Sequence, residues 1–241
     1  MCGRLVTTSS AAEIADFFDA LRCEEELPPD HNLAPTRDVH VVGRGSGGRS
    51  VRVMHWGLVP PWAKDPSGAS RLINARAETV AEKPSFRAAF RRRRCIIPVD
   101  GYYEWTTTPG AHRKQPMFIH AADGGMLALA GIHEFWRQPG SQEDAPGLHS
   151  CCIITCAASP SISRIHDRMP VILARDSWSI WLDPESAPED LHALLGPAPD
   201  ALLAMHPVST EVNSTRNNGP HLIEPVEPTA IGEIPGQGTL L

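Results

Sequence analysis

The chain has 241 residues, of which 41% are hydrophobic and 21% charged, and a formal charge of −6. This length can bury a core of its own, and the composition is that of a globular protein rather than a disordered or fibrous one. No apolar run approaches the roughly 18 residues of a membrane span, and the first ten residues lack the apolar segment of a secretory signal. A cytoplasmic monomer is expected, nucleoid-associated if the source is bacterial, with its six cysteines as free thiols.

Cys2 to Thr8 reads as a strand. Ser10-Ala-Ala-Glu13 reads as a capping box opening a short helix through Phe17, Phe18 and Leu21. Glu24 to Thr36 reads as a Pro-containing loop. Val39 to Val42 and Val51 to Leu58 are strand-like, joined by a turn over the Gly-rich stretch Gly43 to Gly48. A basic helix follows Pro84, through Phe86 and Phe90. Strands are expected at Cys95 to Val99, Tyr102 to Thr106, Met117 to His120, Met126 to Phe135 and Ser150 to Cys156. Short helices are expected at Ser161 to Ile165, Ser177 to Leu182 and Pro188 to Leu195. The elements assemble into one α+β domain over residues 2–225, a curved, barrel-like mixed sheet with short peripheral helices. Residues 226–241 form a Pro/Gly-rich tail, read as partly disordered.

Charge is unevenly distributed. Arg71 to Arg94 holds eight Lys or Arg against two Glu, a net of +6, whereas Trp181 to Leu241 holds nine Asp or Glu against one Arg, a net of −8. A basic stretch within an acidic chain points to one local anion-binding face. Cys151, Cys152 and Cys156 lack the paired spacing of a metal knuckle and read as buried strand residues, so neither metal nor cofactor is called for.

Cys2 follows the initiator Met. Once Met1 is removed, the residue carries an α-amine beside its thiol. Such a 1,2-aminothiol condenses with an aldehyde to an imine, which the thiol closes to a thiazolidine. An ordinary α-amine pKa of about 7.7–8.0 leaves roughly a tenth of it neutral near pH 7. Other segments are unusual together: Trp56-Gly-Leu-Val-Pro-Pro-Trp62, Asn74-Ala-Arg-Ala-Glu-Thr79, Gly101-Tyr-Tyr-Glu-Trp105 and Ile165-His-Asp-Arg-Met-Pro170. In an extended stretch Asn74 and Arg76 face the same side. On the residues alone, Glu104 reads first as an exposed strand carboxylate, His166 as a turn histidine, Asn74 as a turn former, and Arg91 to Arg94 as a solvated face or a peripheral DNA contact. Trp56 and Trp105 read as core.

With the Met-Cys-Gly-Arg start and Pro207-Val-Ser-x-x-Val-Asn213, these motifs resemble the SRAP family over residues 2 to 225. The family takes its name from a proposed SOS-response-associated peptidase role, and its members shield abasic sites. The resemblance implies covalent capture of abasic sites in single-stranded DNA, alone or at a junction with duplex. It places Cys2 as nucleophile, Glu104 as proton carrier, His166 as acid toward the sugar oxygen, and Asn74 as the residue orienting the Cys2 terminus or the sugar. It places Arg4, Arg76 and Arg168 on DNA, with Pro35, Trp62 and Phe86 stacking on bases or wedging the duplex end. Lyase activity and self-removal of Met1 come with the same resemblance. The alternatives are an N-terminal-nucleophile amidohydrolase or peptidase using the Cys2 thiol, and a non-covalent single-strand binder in which Cys2 is inert.

Overall fold

Five of the strands among the described residues have only three to five residues, too few to show alternation of their own, and these define how the longer ones are assembled. The computed structural model describes residues 2–45, 47–107, 114–142 and 144–227; apart from residues 226 and 227, the expected tail lies outside them. β1 (Leu5–Thr7), β2 (Asp30–Leu33), β7 (Gly101–Thr106), β8 (Gln115–Ala121) and β12 (Leu203–Pro207) form an antiparallel sheet in the order β12-β8-β7-β1-β2. A second sheet runs β11-β10-β4-β3-β6-β9, built from β3 (Asp38–Gly45), β4 (Gly48–Trp56), β6 (Arg94–Val99), β9 (Leu127–Trp136), β10 (Leu148–Ala157) and β11 (Arg168–Pro170). It curls so far that β9 also pairs with β10, and β5 (Asn74–Arg76) joins β10 in parallel. The expected curved mixed sheet is therefore present, and the antiparallel sheet carrying the N-terminus is added to it.

Every residue of β6 and most of β9 and β10 are buried on consecutive positions, because both faces of this sheet are covered. The helices cover its outside. α1 (Ala11–Phe18) starts at the expected capping box: Ser10 Oγ accepts from the Glu13 N–H at 3.3 Å, and Glu13 Oε2 accepts from the Ser10 N–H at 2.8 Å. Its Phe18 ring lies 4.4 Å from that of Trp178, which opens α3 (Trp178–Leu182). Trp181 is fully buried, as expected of a helix packed on the sheet, and its Nε1 donates to Cys95 O at 2.8 Å. α2 (Arg87–Arg92) and α4 (Pro188–Ala193) complete this side.

Several expectations are corrected. The Glu24 to Thr36 loop contains β2, the Gly-rich turn is shorter because β3 and β4 pair as far as Gly45↔Gly48, and β5, β11 and β12 were not anticipated as strands. Arg94 is not on a solvated face. It is 3% exposed, donating to the carbonyls of Trp181, Phe90 and Arg91 at 2.6–2.7 Å and to that of Asp183. These carbonyls end α2 and α3, where a cation offsets the partial negative charge.

The chain crosses between sheets at Asp100. Its carboxylate accepts from the N–H groups of Thr8 and Ser9 at 2.6 and 3.1 Å and from their hydroxyls at 2.9 and 2.6 Å. This fixes the N-terminal strand against the β6–β7 junction. Beside it, a Cβ on Gly101 would meet the Phe118 ring and lie 2.7 Å from Ile119 O. Gly101→Ala is expected to cost about 1–3 kcal/mol, read as a lower urea midpoint with the m-value unchanged; an unaltered midpoint would show that Phe118 yields freely.

His133 on β9 sits in a half-buried position where burial, then the charges of Arg93 and Arg52, hold its pKa down at about 4 against an ordinary 6.5. The folded protein keeps the ring neutral where the unfolded chain would protonate it. Its contribution to stability is therefore complete above about pH 6.5 and is lost as pH falls toward 4. His133→Gln should flatten the urea midpoint over that interval, and superimposable pH curves for the two proteins would refute the assignment.

Candidate functional site

β1 pairs with β7 at Leu5↔Tyr102, and the Tyr103 N–H donates to Arg4 O at 3.0 Å. This pairing draws the residues before Leu5 along β7, toward Glu104. Cys2 is fully buried, and Asn74 Nδ2 donates to its carbonyl at 2.8 Å. Burial, and after it the Glu104 carboxylate, push the Cys2 thiol well above its ordinary pKa. Glu104 is only 3% exposed, so the reading as a solvated strand carboxylate is overturned. A carboxyl group is buried at a cost unless the site uses it or pairs it.

Alternation along β7 sorts its side chains. Tyr102 packs in the same core cluster as Cys2, whereas Tyr103 belongs to the smaller cluster on the other face with Val6 and Phe118. The Tyr103 hydroxyl donates to His31 O at 2.8 Å. The Tyr102 hydroxyl is buried and finds no hydrogen-bond partner among the described residues. Trp105 is half-buried rather than core, its Nε1 donating to Asn213 Oδ1 at 2.7 Å; Trp56 is core as expected.

Asn74 and Arg76 are both on β5, which pairs with β10 at Ile153↔Asn74 and Thr155↔Arg76. Ala75 between them is buried, so the two share the other face, Arg76 exposed and Asn74 half-buried. β11 flanks β10 on the other side, with Ala157↔Arg168. His166 precedes it, after a 3-10 turn at Ile162–Arg164. Its Nδ1 lies 3.0 Å from the Arg168 N–H. The exposed Asp167 carboxylate lies 2.8 Å from the same Nδ1.

Among the residues expected on DNA, the structure separates three kinds. Arg76 and Trp62 are exposed, the indole at 66%. Its loop is held from beneath: the Val59 N–H donates to Ser150 Oγ and Trp136 Nε1 donates to Ala63 O. Pro35 is half-buried beside Thr36, a β-branched residue at φ 67°. Arg4 is half-buried, its Nη1 donating to Asn32 Oδ1 and Val212 O at 2.5 and 2.8 Å. Two expectations are corrected. Phe86 is 4% exposed inside the main core, so it offers no ring face to a base. Arg168 holds Glu78 through a two-pronged pair at 2.5 and 2.9 Å and donates to Thr155 O at 2.6 Å, with 12% of its side chain exposed. Its fork braces β11 to the turn after β5.

Tyr102, Thr155 and Glu78 were missed in the sequence. The i, i+2 relation of Tyr102 to Glu104 was the one available signal. Among the described residues no group of three or more His, Cys, Asp or Glu could hold a metal ion, and no helix is long and apolar enough to cross a membrane.

Abasic site processing protein YoqW of Bacillus subtilis (strain 168) is 40% identical over 227 residues, covering 93% of this chain and 99% of that protein. Abasic site processing protein HMCES of Mus musculus is 35% identical, covering 86% of this chain and 67% of that one. A crystal structure from Bacteroides thetaiotaomicron shares the fold with a TM-score of 0.82 at 23% identity, over 94% of this chain and all of the other. One from Bordetella bronchiseptica has a TM-score of 0.74 at 26% identity, over 86% of this chain and all of the other. The family described as SOS response associated peptidase (SRAP) matches residues 1–215, and the chain belongs to it.

Proposed function

We propose that this protein processes abasic sites by bonding covalently to them in single-stranded DNA through Cys2. The observation that carries the reading is Cys2 itself, fully buried, its carbonyl held by Asn74 and its thiol within reach of the charge of a buried carboxylate, Glu104. Its relatives are named for abasic site processing.

The chemistry requires hydrolysis of the Met1–Cys2 peptide bond, which frees the α-amine. The amine attacks C1′ of the open-chain sugar aldehyde, and the carbinolamine loses its oxygen as water to give the imine. The thiol then adds to the imine carbon: an S–C1′ bond forms, the C=N bond becomes single, and the thiol proton ends on nitrogen. One water is lost overall. Proton delivery and removal at these steps belong to Glu104. His166 serves the sugar ring oxygen during opening, and Asn74 holds the Cys2 main chain in register. Strand cleavage by a lyase route is a side activity of the same groups.

The state of the thiol separates this reading from an amide-attacking cysteine. A peptidase or amidohydrolase needs a lowered thiol pKa, whereas burial and Glu104 raise that of Cys2. Attack by the amine tolerates a protonated thiol, because sulfur acts only after the imine exists. Arg76 supplies the phosphate contact and Arg4 a second. Trp62 and Pro35 offer stacking surface without sequence readout, at a single strand or its junction with duplex. No cofactor enters these steps.

Met-processed protein mixed with an oligonucleotide carrying one abasic site should give a shifted band on a denaturing gel. That band should be absent with Cys2→Ala and on undamaged DNA, and Glu104→Gln should slow its appearance or its reversal by 10-fold or more. A stable adduct from Cys2→Ala would refute the thiazolidine. Arg76→Ala should weaken non-covalent binding to single-stranded DNA and reduce the slope of log K against log salt by about 0.7; an unchanged slope would remove Arg76 from the DNA face.

A further inference from the structure

At the site the Tyr102 hydroxyl and Asn74 Oδ1 are both buried without a hydrogen-bond partner among the described residues, and of the two only the phenol can donate. Tyr102 is fully buried. A buried hydroxyl left unpaired costs free energy comparable to a lost hydrogen bond, so such atoms call for an explanation. Its surroundings supply one. Tyr102 shares its face of β7 with Glu104, two residues on, and its core cluster with Cys2 and with Cys156 of β10. The titratable groups close enough to act on the phenol are Cys2, Glu104 and Cys156. By contrast Tyr103, the next residue, has its hydroxyl bonded and lies on the opposite face. The orphan hydroxyl is therefore on the side of the strand where the reaction is proposed to occur.

We propose that Tyr102 is a substrate-binding donor of this site, whose hydroxyl is left unpaired in the free protein for the oxygen that an abasic sugar brings at C1′. This rests on the covalent reading above. The phenol O–H hydrogen-bonds to the aldehyde oxygen as the Cys2 amine attacks C1′, and to the same oxygen in the carbinolamine. It transfers no proton, since the two protons that leave with that oxygen as water come from the amine and from Glu104. A donor aimed at a position where charge develops, already in place and shielded from water, stabilises the transition state without reorganisation. The unsatisfied state of the free protein is then the cost of having the donor in place before substrate arrives.

Tyr102→Phe tests this, because it removes the hydroxyl and keeps the ring. Single-turnover adduct formation at saturating abasic-site oligonucleotide should slow about fivefold or more, the worth of one hydrogen bond. Affinity for undamaged single-stranded DNA should not change. The thermal midpoint should stay the same or rise, because the deleted hydroxyl has no partner to lose. An unchanged rate overturns the proposal. A slower rate accompanied by a lower melting midpoint also overturns it, since the hydroxyl would then be holding the fold. Wild-type protein is run in parallel: an adduct from wild type with no effect of Tyr102→Phe sinks Tyr102 alone, whereas no adduct from Met-processed wild type sinks the covalent reading with it.

Discussion

Strand β10 is hydrogen-bonded to four other strands: β4 and β5 in parallel, β9 and β11 antiparallel. Backbone groups of a buried strand have to be paired, and no single neighbour pairs along its whole length: β9 stops at Ile153. β4 covers Ser150 and Cys151, β5 takes over from Ile153 to Thr155, and β11 continues from Thr155 to Ala157. The handover from β4 to β5 is what brings Asn74 into place to donate to the Cys2 carbonyl. The continuation to β11 sets Arg168 and the His166 turn. The polar residues of the site are consequences of how one strand satisfies its main chain.

The second sheet contributes the other half of the site by the same means. β1 has three residues and is held on both sides, by β2 and β7, with Asp100 accepting four hydrogen bonds from Thr8 and Ser9 at its end. A chain terminus is ordinarily frayed; here it is clamped from Leu5 onward, so that Cys2 is buried. Burial has chemical consequences. It raises the pKa of the Cys2 thiol and leaves Glu104 almost without exposure.

Charge is handled by location rather than amount. The chain is acidic overall, but its basic stretch is divided in the fold between different tasks. Arg94 terminates two helices from inside the protein, Arg93 reaches Glu134 at 2.7 Å, and Arg76 and Arg91 face solvent. Arg168, outside that stretch, is committed to Glu78. The basic surface open to solvent is therefore smaller than the residue count implies.

The sequence by itself determined the long elements, the capping box at Ser10 and Glu13, the burial of Trp56 and Trp181, the aminothiol potential of Cys2 and the motifs that mark the family. These are local: a run of apolar residues, a cap three residues from its partner, or a set of side chains at fixed spacing is written in contiguous residues. Only the tertiary structure decided that Glu104 is buried, that Phe86 is core rather than a stacking ring, that Arg94 and Arg168 are internal braces, and that the Tyr102 hydroxyl is unpaired on the Cys2 side of β7. It also decided that β2, β5, β11 and β12 exist. Strands of three to five residues carry too few side chains to declare a period, and they become extended because a distant strand needs their N–H and C=O groups. Whether a residue is exposed depends on what covers its face, and what covers it here comes from residues 70 to 100 positions away.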